Sequence, residues 1–223
     1  MSTPASDIAL SNLRQFNDDV WYIIPILVIV MYLWANEIQK AQKTKNWNVV
    51  FSGLTVFGLD LINEIWNALV FTFTGHSAFW TTPGSAPGVP NSAFIIMIGW
   101  NLEIALMFSI AGLVFGKLLP EDKNQKVFGK IPNRWFFAAV FAAFAVFVEI
   151  LLNMAGALVW EYPWWNATPW GVILIFLFGY FHFFVGAFYV YDMRDTKQKL
   201  KAIGIIYGIG LVAVCIFGPL GMI

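Results

Sequence analysis

Charge is the scarcest property of this sequence: only 12% of its 223 residues are Asp, Glu, Lys or Arg, with 13 of each sign. The zero balance says nothing about nucleic acid; the basic loops need no partner beyond anionic lipid headgroups, and no nucleic-acid partner is expected. Cysteine is nearly absent. Cys215 stands alone, so no intramolecular disulfide can form and the redox compartment goes unread. The two histidines, His76 and His182, are far apart, and no Glu-x-x-His pair of the kind used by helical iron sites occurs. No metal site and no cofactor are therefore expected. No lysine falls in the middle of an apolar run, which excludes a retinal Schiff base. The first 19 residues lack a basic stretch leading to a small-residue cleavage site, so a cleaved signal peptide is not expected.

What the chain has in abundance is apolar surface. Hydrophobic residues make up 59% of it, in six runs near the roughly 20 residues that cross a bilayer core of about 30 Å: 20–36, 48–74, 92–118, 134–160, 169–193 and 201–222. The expected fold is all-α: a polytopic membrane protein of six transmembrane helices, one transmembrane domain over 20–223. Residues 1–19 precede it as a tail or a short interfacial helix, with Ala9, Leu13, Phe16 and Val20 at helical spacing. Lys40, Lys43 and Lys45 follow the first run. Lys117, Lys123, Lys126, Lys130 and Arg134 follow the third, and Arg194, Lys197, Lys199 and Lys201 the fifth, leaving only Arg14 elsewhere. The positive-inside rule then puts the loops near 37–47, 117–134 and 193–201 in the cytoplasm and both termini on the other side.

Within the second run, Asp60, Asn63, Glu64 and Asn67 follow i, i+3, i+4, i+7 and share one helix face. A charge at the bilayer centre costs roughly 2.5–3.5 kcal/mol on insertion scales, so such a stripe is expected to face partners or water and to mark function. Other runs carry polar groups at comparable depth: Glu103 in the third, near Trp100; Glu149 and Asn153, an i, i+4 pair, in the fourth; and His182 in the fifth, on a face with Gly179, Gly186 and Tyr189. No lysine or arginine lies at that depth, so several of these carboxyls are expected to carry their proton near neutral pH and to be candidate general acids. Asp192 reads as a surface charge near Arg194. The outer stretch 75–91, rich in Pro and Gly and containing Phe79 and Trp80, is expected to form a lid over the second helix or to rest on the membrane interface. Gly204-xxx-Gly208 is a small-residue packing pattern.

Helices 2 to 5 of this reading show neither an internal repeat nor an interruption, which weighs against a transporter. A proton- or cation-linked carrier and an accessory subunit of a larger complex nevertheless stay open as alternatives to an enzyme.

The run Glu64-Ile65-Trp66-Asn67-Ala68-Leu69-Val70-Phe71, the motif Trp100-Asn101-Leu102-Glu103 and the aromatic stretch Trp160 to Tyr191 resemble the small integral-membrane terpene cyclases of fungal meroterpenoid and indole-diterpene pathways. The resemblance covers helices 1–3 and 5. It implies protonation of an epoxide or alkene followed by a carbocation cascade, with Glu64 as the acid. That family usually has seven helices and a second carboxylate late in the chain, where this sequence has six and His182. Membrane carotenoid cyclases and hydratases are similar in their use of polyene protonation.

The expected function is acid/base chemistry without a cofactor on a lipophilic, isoprenoid-like small molecule. Glu64 is the expected acid, tuned by Asp60 and Glu103, with Glu149 or His182 accepting the final proton. Asn63, Trp66, Asn67, Trp100, Asn153 and Tyr189 are expected to contact the substrate, with the abundant aromatic rings suited to a cationic intermediate. The oligomeric state is not legible.

Overall fold

Hydrocarbon leaves a backbone no partner but itself, and the long apolar runs fold accordingly as helices. The computed structural model describes residues 1–17, 20–85 and 91–223. Pro87, Gly88 and Pro90 of the expected lid, and Asp18 and Asp19 of the N-terminal segment, lie outside the described residues. In chain order the elements are α1 (Pro4–Ser11), α2 (Ile23–Thr44), α3 (Asn48–Thr74), β1 (Ile95–Met97), β2 (Trp100–Asn101), α4 (Leu102–Leu118), β3 (Lys126–Val127), β4 (Ile131–Pro132), α5 (Asn133–Met154), α6 (Pro169–Leu174), a π-helical segment (Ile175–Phe181), α7 (His182–Tyr191) and α8 (Thr196–Phe217). Five helical stretches among the described residues are long and apolar enough to cross a membrane: α2, α3, α5, the continuous α6–π–α7 rod, and α8. α4 has 17 residues, about 25 Å at 1.5 Å per residue, and falls just short of that length.

Several expected boundaries are corrected. The third run does not enter as helix at 92. Residues 95–101 form an antiparallel β1–β2 pair, and the helix begins only where the Asn101 side chain accepts the Ile104 N–H and caps it. Glu103 therefore lies in the first turn of α4, not ten residues deep. α2 continues to Thr44, so Lys40 and Lys43 are on its last turns rather than in a loop. α5 stops at Met154, and the chain reverses through Gly156 at φ +73°. The fifth run is interrupted after all, by a full π-helical turn. Two small hairpins, β1–β2 and β3–β4, add strand to the expected all-α class.

α3 is the central post, with α2, α4, α7 and α8 packed around it. Close approach is set by small residues. A Cβ on Gly112 of α4 would fall 2.6 Å from the Ser52 carbonyl oxygen and 2.8 Å from the Gly53 Cα of α3, and the Ser52 hydroxyl donates to the Gly112 carbonyl at 2.7 Å. A Cβ added at Gly204 or Gly208 of α8 would meet nothing within 4 Å, so among the described residues the expected packing pattern has no partner. α5 leans on the π segment and α7 and makes no extended contact with α4.

The two ends of the bundle are held differently. At the basic end, Arg134 makes a two-pronged ion pair with Asp192 (2.8 and 2.9 Å) and donates to the Pro120 carbonyl. Asp192 is thus a partner of Arg134 and not a free surface charge. Lys117 pairs with Glu37 at 2.7 Å, and the buried Lys199 donates to Asn48 and to the Tyr191 carbonyl. At the opposite end the two chain termini meet: Arg14 donates to the Ile223 carbonyl at 2.7 Å. The N-terminal segment lies against the loops there. Ser6 and Ala9 of α1 are fully buried, the Thr3 N–H reaches His76 O, and Asn12 donates to the Pro83 and Ser85 carbonyls.

Gly112→Leu is expected to lower folding stability in detergent by about 1–3 kcal/mol through overpacking. Gly204→Leu, with open space around it, is expected to stay within about 0.5 kcal/mol. Thermal melts of the two purified variants check the contrast.

Candidate functional site

A carboxyl group inside a helical bundle finds few backbone donors, because helix N–H groups are already bonded four residues back along the chain. Here the donors are indoles. Asp60, Glu64 and Glu149 are 2–3% exposed, and each accepts one tryptophan N–H: Trp100 Nε1 to Asp60 Oδ2 at 3.0 Å, Trp80 Nε1 to Glu64 Oε1 at 2.9 Å, and Trp160 Nε1 to Glu149 Oε1 at 3.0 Å.

Each indole is aimed by a local device. Asn67, one turn beyond Glu64 on the same face of α3, grips the loop backbone. Its Oδ1 accepts the Phe79 and Trp80 N–H groups and its Nδ2 donates to the Trp80 carbonyl at 2.8 Å. Gly99 lets the loop backbone at Trp80 pass close by, since a Cβ there would fall 2.6 Å from Trp80 O. Asn153 donates to the Leu158 carbonyl at 3.0 Å and closes the reversal after α5, returning Trp160 to Glu149 of the same helix. Thr81 and Val159 exchange backbone hydrogen bonds at 2.8 and 3.0 Å, so the loops carrying Trp80 and Trp160 are zipped side by side into a roof. The Trp165 ring stacks on Phe79 and Trp80 of this roof, with ring centroids 5.4 and 6.2 Å away.

Beneath the roof lies a cavity of about 270 Å³, walled by α3, α4, α5 and the π segment with α7. Its polar wall groups are Asp60, Asn63, Glu64, Glu149, Tyr180 and the indoles of Trp80 and Trp165; among the described residues no lysine, arginine or histidine lines it. Met107 and Val114 of α4 and Phe144 of α5 line the cavity and are yet 46%, 40% and 64% exposed. The cavity therefore opens sideways through the gap between α4 and α5. Tyr180, carried on the π segment, lies beside Glu149 and within electrostatic reach of Asp60 and Glu64. Three buried polar atoms of this wall have no hydrogen-bond partner among the described residues: Glu64 Oε2, Glu149 Oε2 and Trp165 Nε1. An unsatisfied buried polar atom costs about 1–3 kcal/mol.

Of the expected site residues, the fold brings together Asp60, Asn63, Glu64 and Glu149 at the cavity, with Trp100 behind Asp60. Asn67 and Asn153 serve the roof rather than the cavity wall. Glu103 is outside the cavity: it accepts hydrogen bonds from the Tyr22 hydroxyl (2.8 Å), the Ser92 hydroxyl (2.7 Å) and the Ala93 N–H (2.6 Å), tying α4 to the segments before α2 and β1. Burial and the Glu103 carboxyl push the Tyr22 pKa up, which keeps its hydroxyl a donor. His182 is also off the cavity, its ring packed on Phe183 at 4.2 Å. Trp66 and Tyr189 face outward, 55% and 57% exposed. Glu103 falls outside because its helix starts only after the β1–β2 hairpin; the other three do because helical spacing fixes a face but not what stands opposite it. Trp160, Trp165 and Tyr180 carry site geometry beyond the expected set. The aromatic density of the outer loops was their signal. Among the described residues, no three His, Cys, Asp or Glu side chains come together to hold a metal ion.

Comparison with known proteins agrees with the membrane architecture and goes no further into chemistry. A profile described as "Uncharacterized membrane protein family" matches residues 3–219. An "Uncharacterized protein" of Archaeoglobus fulgidus is 47% identical over 221 residues, 99% of this chain and 98% of that protein. A second "Uncharacterized protein" of the same organism is 37% identical over 46 residues, 21% of this chain and 82% of its own length. No solved structure matches significantly. With nearly its whole length matched, the chain belongs to the uncharacterized membrane protein family.

Proposed function

We propose that the cavity performs cofactor-independent general acid/base chemistry on a lipophilic, isoprenoid-like molecule that enters from the membrane between α4 and α5. The observation that carries this reading is the pair of buried carboxyl oxygens without partners among the described residues, Glu64 Oε2 and Glu149 Oε2, on a mostly apolar wall that also carries Asp60, Asn63 and Tyr180. Trp80 holds one oxygen of Glu64 by hydrogen bond and leaves the other for a proton. In the proposed cycle Glu64 Oε2 gives that proton to an alkene or epoxide of the substrate. The cation closes a ring or shifts, then loses a proton to Glu149, so substrate and product differ by no electrons. Tyr180, beside Glu149 and near Glu64, returns the proton. Phe108, Phe141, Phe183 and Phe184 on the wall suit a cationic intermediate. This keeps the terpene-cyclase resemblance as a proposal for the reaction type, with Asp60 tuning Glu64, and drops Glu103 and His182 from the chemistry.

A proton- or cation-linked carrier is the second reading, favoured by the π-helical break facing the carboxyls, a feature frequent at functional sites. We further propose six membrane crossings, with the basic end in the cytoplasm and both chain ends outside.

Glu64→Gln keeps an oxygen for the Trp80 indole, so the protein is expected to fold normally while turnover of polyprenyl substrates in nanodiscs falls at least 100-fold, the usual contribution of a general acid. Wild-type turnover by the folded variant, followed by mass spectrometry, defeats the acid assignment. If proteoliposomes instead carry a proton flux that Glu149→Gln abolishes, the carrier reading replaces it. For topology, in a Cys215→Ser background, Ser2→Cys should label with impermeant maleimide in intact cells, and Lys123→Cys only after permeabilisation. The opposite pattern inverts the orientation.

A further inference from the structure

Four tryptophans surround the buried carboxyls, and three of them donate to one. The fourth does not. Trp165 is 5% exposed, lines the cavity, and its Nε1–H has no partner among the described residues. Buried indole N–H groups usually find an acceptor, and this ring is held in place without one. It stacks on Phe79 at 5.4 Å and Trp80 at 6.2 Å, and its backbone N–H is bonded to the Tyr162 carbonyl at 3.1 Å. Gly179 of the π segment lies beneath its benzo edge, where a Cβ would stand 3.6 Å from Cζ2.

The cavity thus presents one unmatched donor, Trp165 Nε1–H, and two unmatched carboxyl oxygens, Glu64 Oε2 and Glu149 Oε2. We propose that Trp165 is the specificity-determining donor of this site and that it selects an uncharged lipophile bearing an oxygen function, a hydroxyl or a carbonyl. This rests on the reading of the cavity as a lipophile site. A hydroxyl accepts from Trp165 while donating to a carboxylate; a carbonyl accepts from Trp165 and from a protonated carboxyl. Either satisfies at least two of the three orphaned atoms. A bare hydrocarbon satisfies none, and sites built to hydrogen-bond a polar group discriminate strongly against analogues that lack it. A diphosphate would bring two or more negative charges against three carboxyl groups with no lysine, arginine or histidine among the described residues of the wall. Trp165 positions the oxygen and takes no part in proton transfer.

The test compares tritiated farnesol, the C15 hydrocarbon with hydrogen in place of its hydroxyl, and farnesyl diphosphate, bound to the full chain in nanodiscs. The wild type is expected to prefer the alcohol over the hydrocarbon by about tenfold, the worth of one such hydrogen bond, and to show no saturable binding of the diphosphate. Trp165→Phe keeps the stacking and removes the N–H. It is expected to bring the alcohol-to-hydrocarbon ratio to within about twofold by weakening the alcohol alone. A second readout needs no variant: among the eleven tryptophan side chains, one 15N-indole resonance should move downfield with farnesol and stay put with the hydrocarbon. If both neutral probes bind saturably but the preference is missing, or survives in Trp165→Phe, the Trp165 assignment falls and the lipophile site stands. Saturable binding of the diphosphate overturns the uncharged class. If neither neutral probe binds saturably, the lipophile site itself is wrong and this inference falls with it.

Discussion

A carboxyl group removed from water needs donors, and a transmembrane helix has none to spare from its backbone. This protein meets that constraint three times in the same way, with the indole N–H of a tryptophan. Indole is a donor only, carries no charge and is mostly apolar surface. It can satisfy one oxygen of a carboxyl without adding a cation that would need partners of its own. The choice has a structural consequence. Trp80, Trp100 and Trp160 all lie in connections at one end of the bundle, so those connections have to fold back over the helices and hold still.

Much of that end of the molecule follows from this requirement. The Asn67 clamp, the Gly99 passage, the Thr81–Val159 bridge and the Asn153 turn each fix the position of an indole. The N-terminal segment and the C-terminal residues pack against the same loops, through Thr3, Asn12 and Arg14 on one side and the Ile223 carbonyl on the other. The basic end needs no such roof: ion pairs of Arg134 and Lys117 and the buried Lys199 hold it. Between the two ends, α4 and α5 touch through the Phe115 and Phe141 rings but leave a gap at Met107, Val114 and Phe144, which opens the acidic cavity sideways. An apolar entrance leading to carboxyl groups is the chemistry a lipid-soluble reactant would meet.

How much of this could be read beforehand differs by kind of feature. The i, i+3, i+4, i+7 stripe in α3 is a local periodicity, and Asp60, Asn63 and Glu64 do share the cavity wall. Glu149 joins them. Glu103 stands outside the cavity, because an apolar run reads the same whether its first ten residues are helix or hairpin; the Asn101 cap decides, and it acts through one hydrogen bond. His182 follows Tyr180 by two positions in one continuous rod, about 200° around a helix axis, so the two side chains point to opposite sides. Asp192 looked like a neighbour of Arg194 along the chain, and in space its partner is Arg134, 58 residues away.

Composition and periodicity alone determined that the chain is a multi-helix membrane protein and that one helix carries a face of buried acids, because both are properties of short windows and of the cost of placing charge in hydrocarbon. Tertiary structure decided which tryptophan meets which carboxyl, that Glu103 and His182 stand outside the cavity, that α4 and α5 leave a gap that opens it, and that Trp165 has a proton to donate and no acceptor among the described residues. Those are distances between residues from 11 to more than a hundred positions apart in sequence, and no local pattern encodes a distance of that kind.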